Sequence, residues 1–204
     1  MLVSAIMPTR GRPEMSRRSL DCWRAQTWKE KELIILDDAE DPSFPAGVTE
    51  PGVRYLRSAI GRLSIGMKRN DSVAIAKGEM VVHFDSDDIY APERMADQVQ
   101  RLMTSGKAVT NYRNIKFTDG SNWWLNTNWP GGYGASLCYR RDWWAKHPFP
   151  DTSDSEDWHF VSEAMRADAF VAGDAGDRMV ATIHPGNTSP RVIGAGWIPC
   201  SKPV

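Results

Sequence analysis

Three short, mostly apolar runs punctuate the first half of the chain, and they restrict the fold more than any other feature. They are LVSAIM (residues 2–7), ELIILDD (32–38) and EMVVHF (79–84). Each is too short for a buried helix and too continuously apolar for a strand with one wet face. Each therefore reads as a strand covered on both sides. Helical patterns fill the gaps: residues 14–26 with Met15, Leu20 and Trp23 as apolar contacts, 65–77 stopped by Gly78, and 92–103 with Met95, Val99 and Leu102 on one face. GVRYLRS (52–58) adds a short strand. Strands spaced by helices predict an α/β fold with a mostly parallel central sheet flanked by helices. Ligands of such sheets bind beyond the carboxyl ends of the strands. Here those ends carry Thr9 and Arg10, Asp37 and Asp38, and the cluster Asp85, Ser86, Asp87, Asp88.

The second half is mixed. Residues 107–126 read as strand, turn and strand around TDGSN. GGYGASLCYRR is a glycine-rich strand entering a helix at residues 142–146. Residues 153–168 form a helix with Ser153 or Ser155 as its cap, and DRMVATIH (177–184) is a last strand. With 204 residues, no repeats and no linker, one domain is expected. Its parts are a binding half (1–104), a second half (105–189) and a tail (190–204).

Bulk properties exclude more than they assign. A net charge of −1 leaves no electrostatic footprint for nucleic acid or an anionic membrane, although a local basic patch stays compatible. The three cysteines, Cys22, Cys138 and Cys200, show no C-x-x-C spacing, which points to free thiols in a reducing compartment. No run of about 18 apolar residues occurs, and the first residues turn too soon for a signal peptide, so the expected location is cytoplasmic.

The sequence DSDD poses the chemical question. On extended backbone Asp85 and Asp87 face one way and Ser86 the other. Two hard oxygen ligands on a sheet rim suit Mg²⁺ or Mn²⁺ bound together with phosphate oxygens. A polar turn before the next helix, with Asp88 or a neighbour as cap, accounts for the same residues. Arg10, Arg12, Lys68 and Arg69 supply cations nearby, although Lys68 and Arg69 equally suit a solvated helix face. Asp38 is placed to accept a hydrogen bond from a base ring N–H, or to serve a turn.

The order of these segments is what carries a resemblance. PTRGRP after the first strand, then ELIILDDAEDP, GMKRNDSVAIAKGEMVVHFDSDDIYAPERM, PFPDTSDSEDWHF and IHPGNTS resemble family-2-type inverting glycosyltransferases with the GT-A (Rossmann-like) fold. The likeness spans residues 2–189. It implies a donor that is a nucleotide-diphosphate sugar, with Pro8, Thr9 and Arg10 lining the nucleotide pocket and Asp38 reading the base. A ring N–H donor such as uracil or thymine would suit an ionised Asp38, hence a UDP- or dTDP-sugar. Lys68 and Arg69 would approach the diphosphate, Asp85 and Ser86 would bind the donor, and Asp87 would be the principal metal ligand, joined by Asp85. His184 would complete the shell, and its nitrogen tilts the choice from Mg²⁺ toward Mn²⁺. Asp157 would be the general base for an inverting displacement, with Glu156 orienting it or binding acceptor.

In NWWLNTNWPGGYG and RRDWW, Trp123, Trp124 and Trp129 suit either a sugar platform or a core, while Trp143 or Trp144 is expected to pack. Gly132 and its neighbours Gly131 and Gly134 either admit a ligand against backbone or relieve a turn. The tail reads equally as a lid over bound nucleotide and as a loose terminus. The chain lacks the Q-x-x-R-W pattern of processive synthases, so a single transfer to a hydroxyl-bearing acceptor is expected. Glycan, lipid, protein, small molecule and modified nucleic acid all stay open as acceptors. A non-catalytic nucleotide-sugar-binding protein or partner subunit of the same fold is the alternative. A D-x-D phosphohydrolase is disfavoured, because Thr9 and Arg10 stand where it needs a nucleophilic aspartate.

Overall fold

The computed structural model describes residues 1–127, 131–188, 193–194 and 196–203. Four parallel strands in the order β3-β2-β1-β4 form the first half of the sheet: β1 (Val3–Thr9), β2 (Lys31–Asp37), β3 (Val53–Arg57) and β4 (Met80–His83). Every residue of β1 is buried, as expected of a strand covered on both faces. Alternate side chains divide between two cores. Val3, Ala5, Met7, Leu33, Ile35 and Val82 face one, with Leu20 and Trp23 of α1 (Pro13–Arg24) and Met95, Val99 and Leu102 of α3 (Arg94–Ser105). Ile6, Ile34 and Val81 face the other, with Val73 of α2 (Ile65–Ala74) and Phe160, Val161 and Ala164 of α5 (Glu156–Arg166). Period-two alternation thus places helices on both faces.

The register aligns the strand ends that carry the site. Thr9 pairs with Asp37 and Ile6 with His83, so the residues beyond β1, β2 and β4 emerge along one rim. Past β4 the sheet becomes mixed. β8 (Cys138–Arg140) runs antiparallel to both β4 and β6 (Val109–Thr118). β6 bends across the second half, pairing antiparallel with β7 (Trp123–Asn126) and parallel with β9 (Phe170–Asp174) and β10 (Met179–Thr182).

Several boundaries differ from expectation. The helix expected over residues 65–77 ends at Ala74. Gly78 serves a close approach instead, since a Cβ there would lie 2.6 Å from the Ser4 backbone nitrogen. Ser155 occupies the N-cap of α5 at φ 60° but its side chain caps nothing, and Ser153 instead accepts a bond from the Ile65 N–H. Asp88 is no cap for α3, whose N-cap is Glu93; its carboxylate accepts from the Thr182 N–H at 3.0 Å. β10 is not the last strand. β11 (Trp197–Pro199), within the expected tail, pairs antiparallel with β7. β9 and the two-residue β5 (Ile89–Tyr90) had no sequence signal long enough to read. Among the described residues, no helix is long and apolar enough to cross a membrane.

Candidate active site

A cavity of about 800 Å³ opens over the rim of the sheet. Pro8, Arg12, Arg69, Asp85, Asp87 and Asp88 from the sheet rim line it, together with Gly131, Gly132, Gly134, Glu156, Asp157 and Trp158 from the second half.

The acidic cluster is crowded. Asp85 is buried, and its carboxyl is pushed up from 3.8 to about 6 by burial; Arg69 opposes the rise, while Asp87 and Glu156 add to it. Asp85 Oδ1 and Ser86 Oγ are buried with no hydrogen-bond partner among the described residues. Asp87 Oδ2 accepts from Arg12 at 2.6 Å and from His184 Nε2 at 2.9 Å. The Gly186 N–H donates to His184 Nδ1 at 3.1 Å, which assigns the imidazole proton to Nε2 and makes it the donor to Asp87. Arg12 also donates to the Gly186 carbonyl and so ties the turn after β10 to the acidic cluster.

Arg69 links the acidic cluster to α5. Its guanidinium is buried against Glu156, and burial raises the Glu156 pKa, with Arg69 opposing. Asp157 is half-buried, with Oδ1 accepting from the Trp158 N–H at 2.8 Å. Its carboxylate packs on bare backbone, since a Cβ at Gly134 would lie 1.7 Å from Asp157 Oδ2. The Gly134 carbonyl in turn accepts from Nδ1 of buried His83, whose proton affinity is held well below the usual range by burial and by Arg69.

The other expected site residues sit as follows. Asp38 and Lys68 pair at 2.8 Å, and the Leu63 N–H holds the second Asp38 oxygen. Arg10 lies 3.6 Å from that oxygen with its side chain 44% exposed, so it covers the pair from the solvent side. Burial lowers the Lys68 pKa against the pull of Asp38. Thr9 is buried and bonded to Ser16. Gly132 has φ 63° and abuts Asn111, where a Cβ would lie 2.0 Å from Oδ1. Trp124 meets Trp197 edge-on, and it is Trp197 that lines the cavity. Trp129 lies outside the described residues. Trp143 and Trp144 pack on the second core, as expected, with Trp144 donating to Asn70. Trp158 and Trp197 line the cavity without a sequence signal of their own. Trp158 follows directly on the acidic pair, and Trp197 opens a three-residue strand with no flanking periodicity.

The donor chemistry fits a divalent ion in a limited way. A carboxylate and an imidazole meet at Asp87 and His184, and Asp85 and Ser86 hold buried oxygens without partners. Among the described residues, however, no three His, Cys, Asp or Glu side chains converge. Asp85 therefore does not complete a three-ligand cluster with Asp87 and His184. Two protein ligands, with other positions left to phosphate and water, is how nucleotide-bound Mg²⁺ is commonly held.

A mostly parallel central sheet flanked by helices on both faces is the architecture of the GT-A fold. TarS from S. aureus in complex with UDP-GlcNAc superposes with a TM-score of 0.77 at 19% identity, covering 95% of this chain and 62% of that one. The mannosyltransferase PcManGT from Pyrobaculum calidifontis, in complex with GDP-Man and Mn²⁺, superposes at 0.71 with 18% identity, covering 88% and 56%. Residues 4–166 match Glycosyl transferase family 2, and the chain belongs to that family. Two relatives are each 26% identical. The putative colanic acid biosynthesis glycosyl transferase WcaA of Escherichia coli (strain K12) aligns over 100 residues, 47% of this chain and 36% of its own. The succinoglycan biosynthesis protein ExoO of Rhizobium meliloti (strain 1021) aligns over 95 residues, 45% and 27%. The chain thus spans about a third of these relatives and about three fifths of the solved neighbours.

Proposed function

We propose that the protein transfers one sugar from a nucleotide-diphosphate sugar to an acceptor hydroxyl with inversion at the anomeric carbon. The observation that carries this reading is one cavity lined by Arg69, Asp85 and Asp87 together with the Asp157 carboxylate. The complexes of TarS with UDP-GlcNAc and of PcManGT with GDP-Man support the donor class, and the relatives named for polysaccharide biosynthesis support sugar transfer.

In this reading the diphosphate lies against Arg69, with Arg12 free to turn toward it from Asp87. Asp87 would hold a divalent cation, Mn²⁺ for preference, and His184 would join it through Nε2 only after giving up the Gly186 N–H and shifting its proton to Nδ1. Such an ion would supply positive charge to the departing diphosphate. Asp157 takes the proton of the acceptor hydroxyl as that oxygen attacks the anomeric carbon opposite the leaving group. A carboxylate is a weak base in water, and placement with exclusion of solvent contributes typically ~10²–10⁴-fold. The Gly134 backbone supplies the placement, because no side chain keeps the Asp157 carboxylate from lying against it. Glu156, held by Arg69, keeps the first turn of α5 in register with the acidic cluster. Asp38 has lone pairs beyond those used by Lys68 and the Leu63 N–H, so a uracil or thymine ring N–H is a suitable further donor once Arg10 moves aside.

The test is release of nucleoside diphosphate from a panel of UDP-, dTDP- and GDP-sugars with Mn²⁺ and mixed acceptor glycosides. Asp157→Asn should abolish release while nucleotide binding persists. Full turnover in that variant would remove the base assignment.

A further inference from the structure

Trp158 is the residue that the proposed chemistry leaves unused. It follows the base on the first turn of α5, and it is 46% exposed, against 4% for Trp23 in the core. Its exposure is not slack. The six-membered ring presses on the backbone of Gly131, where a Cβ would come within 2.4 Å of Cζ3 and 2.6 Å of Cε3. One side of the indole is thus seated on bare backbone while much of the ring stays open to solvent.

The same indole belongs to two concavities. It lines the main cavity beside Asp157, and it lines an outer groove with His159, Ser162, Met165 and Arg166 along α5. Trp158 is thus the residue that the cavity and the groove have in common. Trp158 follows Asp157 directly in the chain, so a molecule presenting its hydroxyl to that carboxylate has the indole as its neighbour.

We infer that Trp158 is the platform on which the acceptor rests, and that the acceptor is a ring sugar whose next unit continues into the groove along α5. This rests on the proposed role of Asp157 and goes beyond it by naming the acceptor class. A pyranose offers a flat, apolar C–H face that covers an indole, with equatorial hydroxyls projecting from its edge toward the neighbouring carboxylate. An acyclic polyol has no such face. The guanidinium of the groove, Arg166, is paired with Glu163 at 2.7 Å and lies on Ser162. Met165, 40% exposed, extends the apolar floor two turns further along α5.

The test uses the whole chain labelled with ¹⁵N-tryptophan, with the Trp158 indole N–H resonance identified by its loss in Trp158→Phe. The protein is titrated with methyl pyranosides of glucose, galactose, mannose and N-acetylglucosamine, with sorbitol and glycerol phosphate as acyclic controls. At least one pyranoside should move the Trp158 resonance saturably, and neither control should. By calorimetry that glycoside should bind Trp158→Ala about tenfold more weakly, with partial recovery in Trp158→Phe. No movement by any pyranoside, equal movement by sorbitol, or unchanged affinity in Trp158→Ala would overturn the inference. Binding of UDP with Mn²⁺ is measured on the same samples. Its absence in the wild type would count against the donor reading alone, because the indole titration needs no donor.

Discussion

Replacing Asp85 by Asn should stabilise the ligand-free protein while destroying its donor site, and the gain should depend on pH in a defined way. The Asp85 carboxyl is buried beside Asp87 and Glu156, and burial raises it to about 6 from an ordinary 3.8. Below about pH 4 the group is protonated in folded and unfolded chains alike, and it contributes no difference. Between about pH 4 and 6 the unfolded chain has released its proton and the folded chain has not, so stability falls as pH rises. Above about pH 7 the folded protein carries the full cost of the buried charge, which for a carboxyl moved from 3.8 to about 6 is ~3 kcal/mol. Asparagine keeps the shape without the charge. Urea denaturation in the presence of chelator, at steps from about pH 5 to 8, should show the variant gaining steadily on the wild type, to ~3 kcal/mol at the upper end. Parallel pH profiles, or a variant less stable at the highest pH, would refute the reasoning. Such a gain would mark Asp85 as a residue kept for its ligand at the expense of stability.

Gly134→Ala should displace the whole Asp157 side chain, whose Cβ would lie 2.4 Å from the new methyl, lowering the transfer rate by ~10²-fold in steady-state kinetics, since about 1 Å of misplacement costs that much. Arg12→Met should tighten Mn²⁺ binding to the nucleotide-free protein several-fold by calorimetry, because Asp87 loses the cation that now holds its Oδ2; weaker binding would show that Arg12 supports the site. Gly66→Ala should destabilise the protein by ~3 kcal/mol in thermal unfolding, since its Cβ would fall 1.9 Å from the Pro150 carbonyl oxygen, a backbone atom that cannot turn aside.

Much of this architecture was readable in the chain. β1, β2 and β4 are buried on both faces, so their sequences are continuous apolar runs, and runs of that kind have few other uses. β5 and β9 were not readable, because two residues in one case and a glycine-bearing segment in the other carry no period. The site divides the same way. Asp85 and Asp87 follow a strand and could be seen to share a rim. The meeting of Asp87 with His184, 97 positions away, entered only through the order of motifs in the resembled family, and the pairing of Arg69 with Glu156, 87 away, was not legible at all. Spacing alone could not predict that Arg12 would hold Asp87, or that Trp158 would stand exposed while Trp144 packs. Those outcomes depend on which backbone lies opposite, here Gly186 for Arg12 and Gly131 for Trp158.

The most direct test is a crystal structure of the chain soaked with UDP and Mn²⁺, with anomalous scattering to place the ion. The account predicts a manganese peak beside Asp87 and His184, Arg12 released from Asp87, and the diphosphate between that ion and Arg69, facing Asp157 across the cavity. A nucleotide bound elsewhere, with Asp87 still held by Arg12 and no ion nearby, would contradict it.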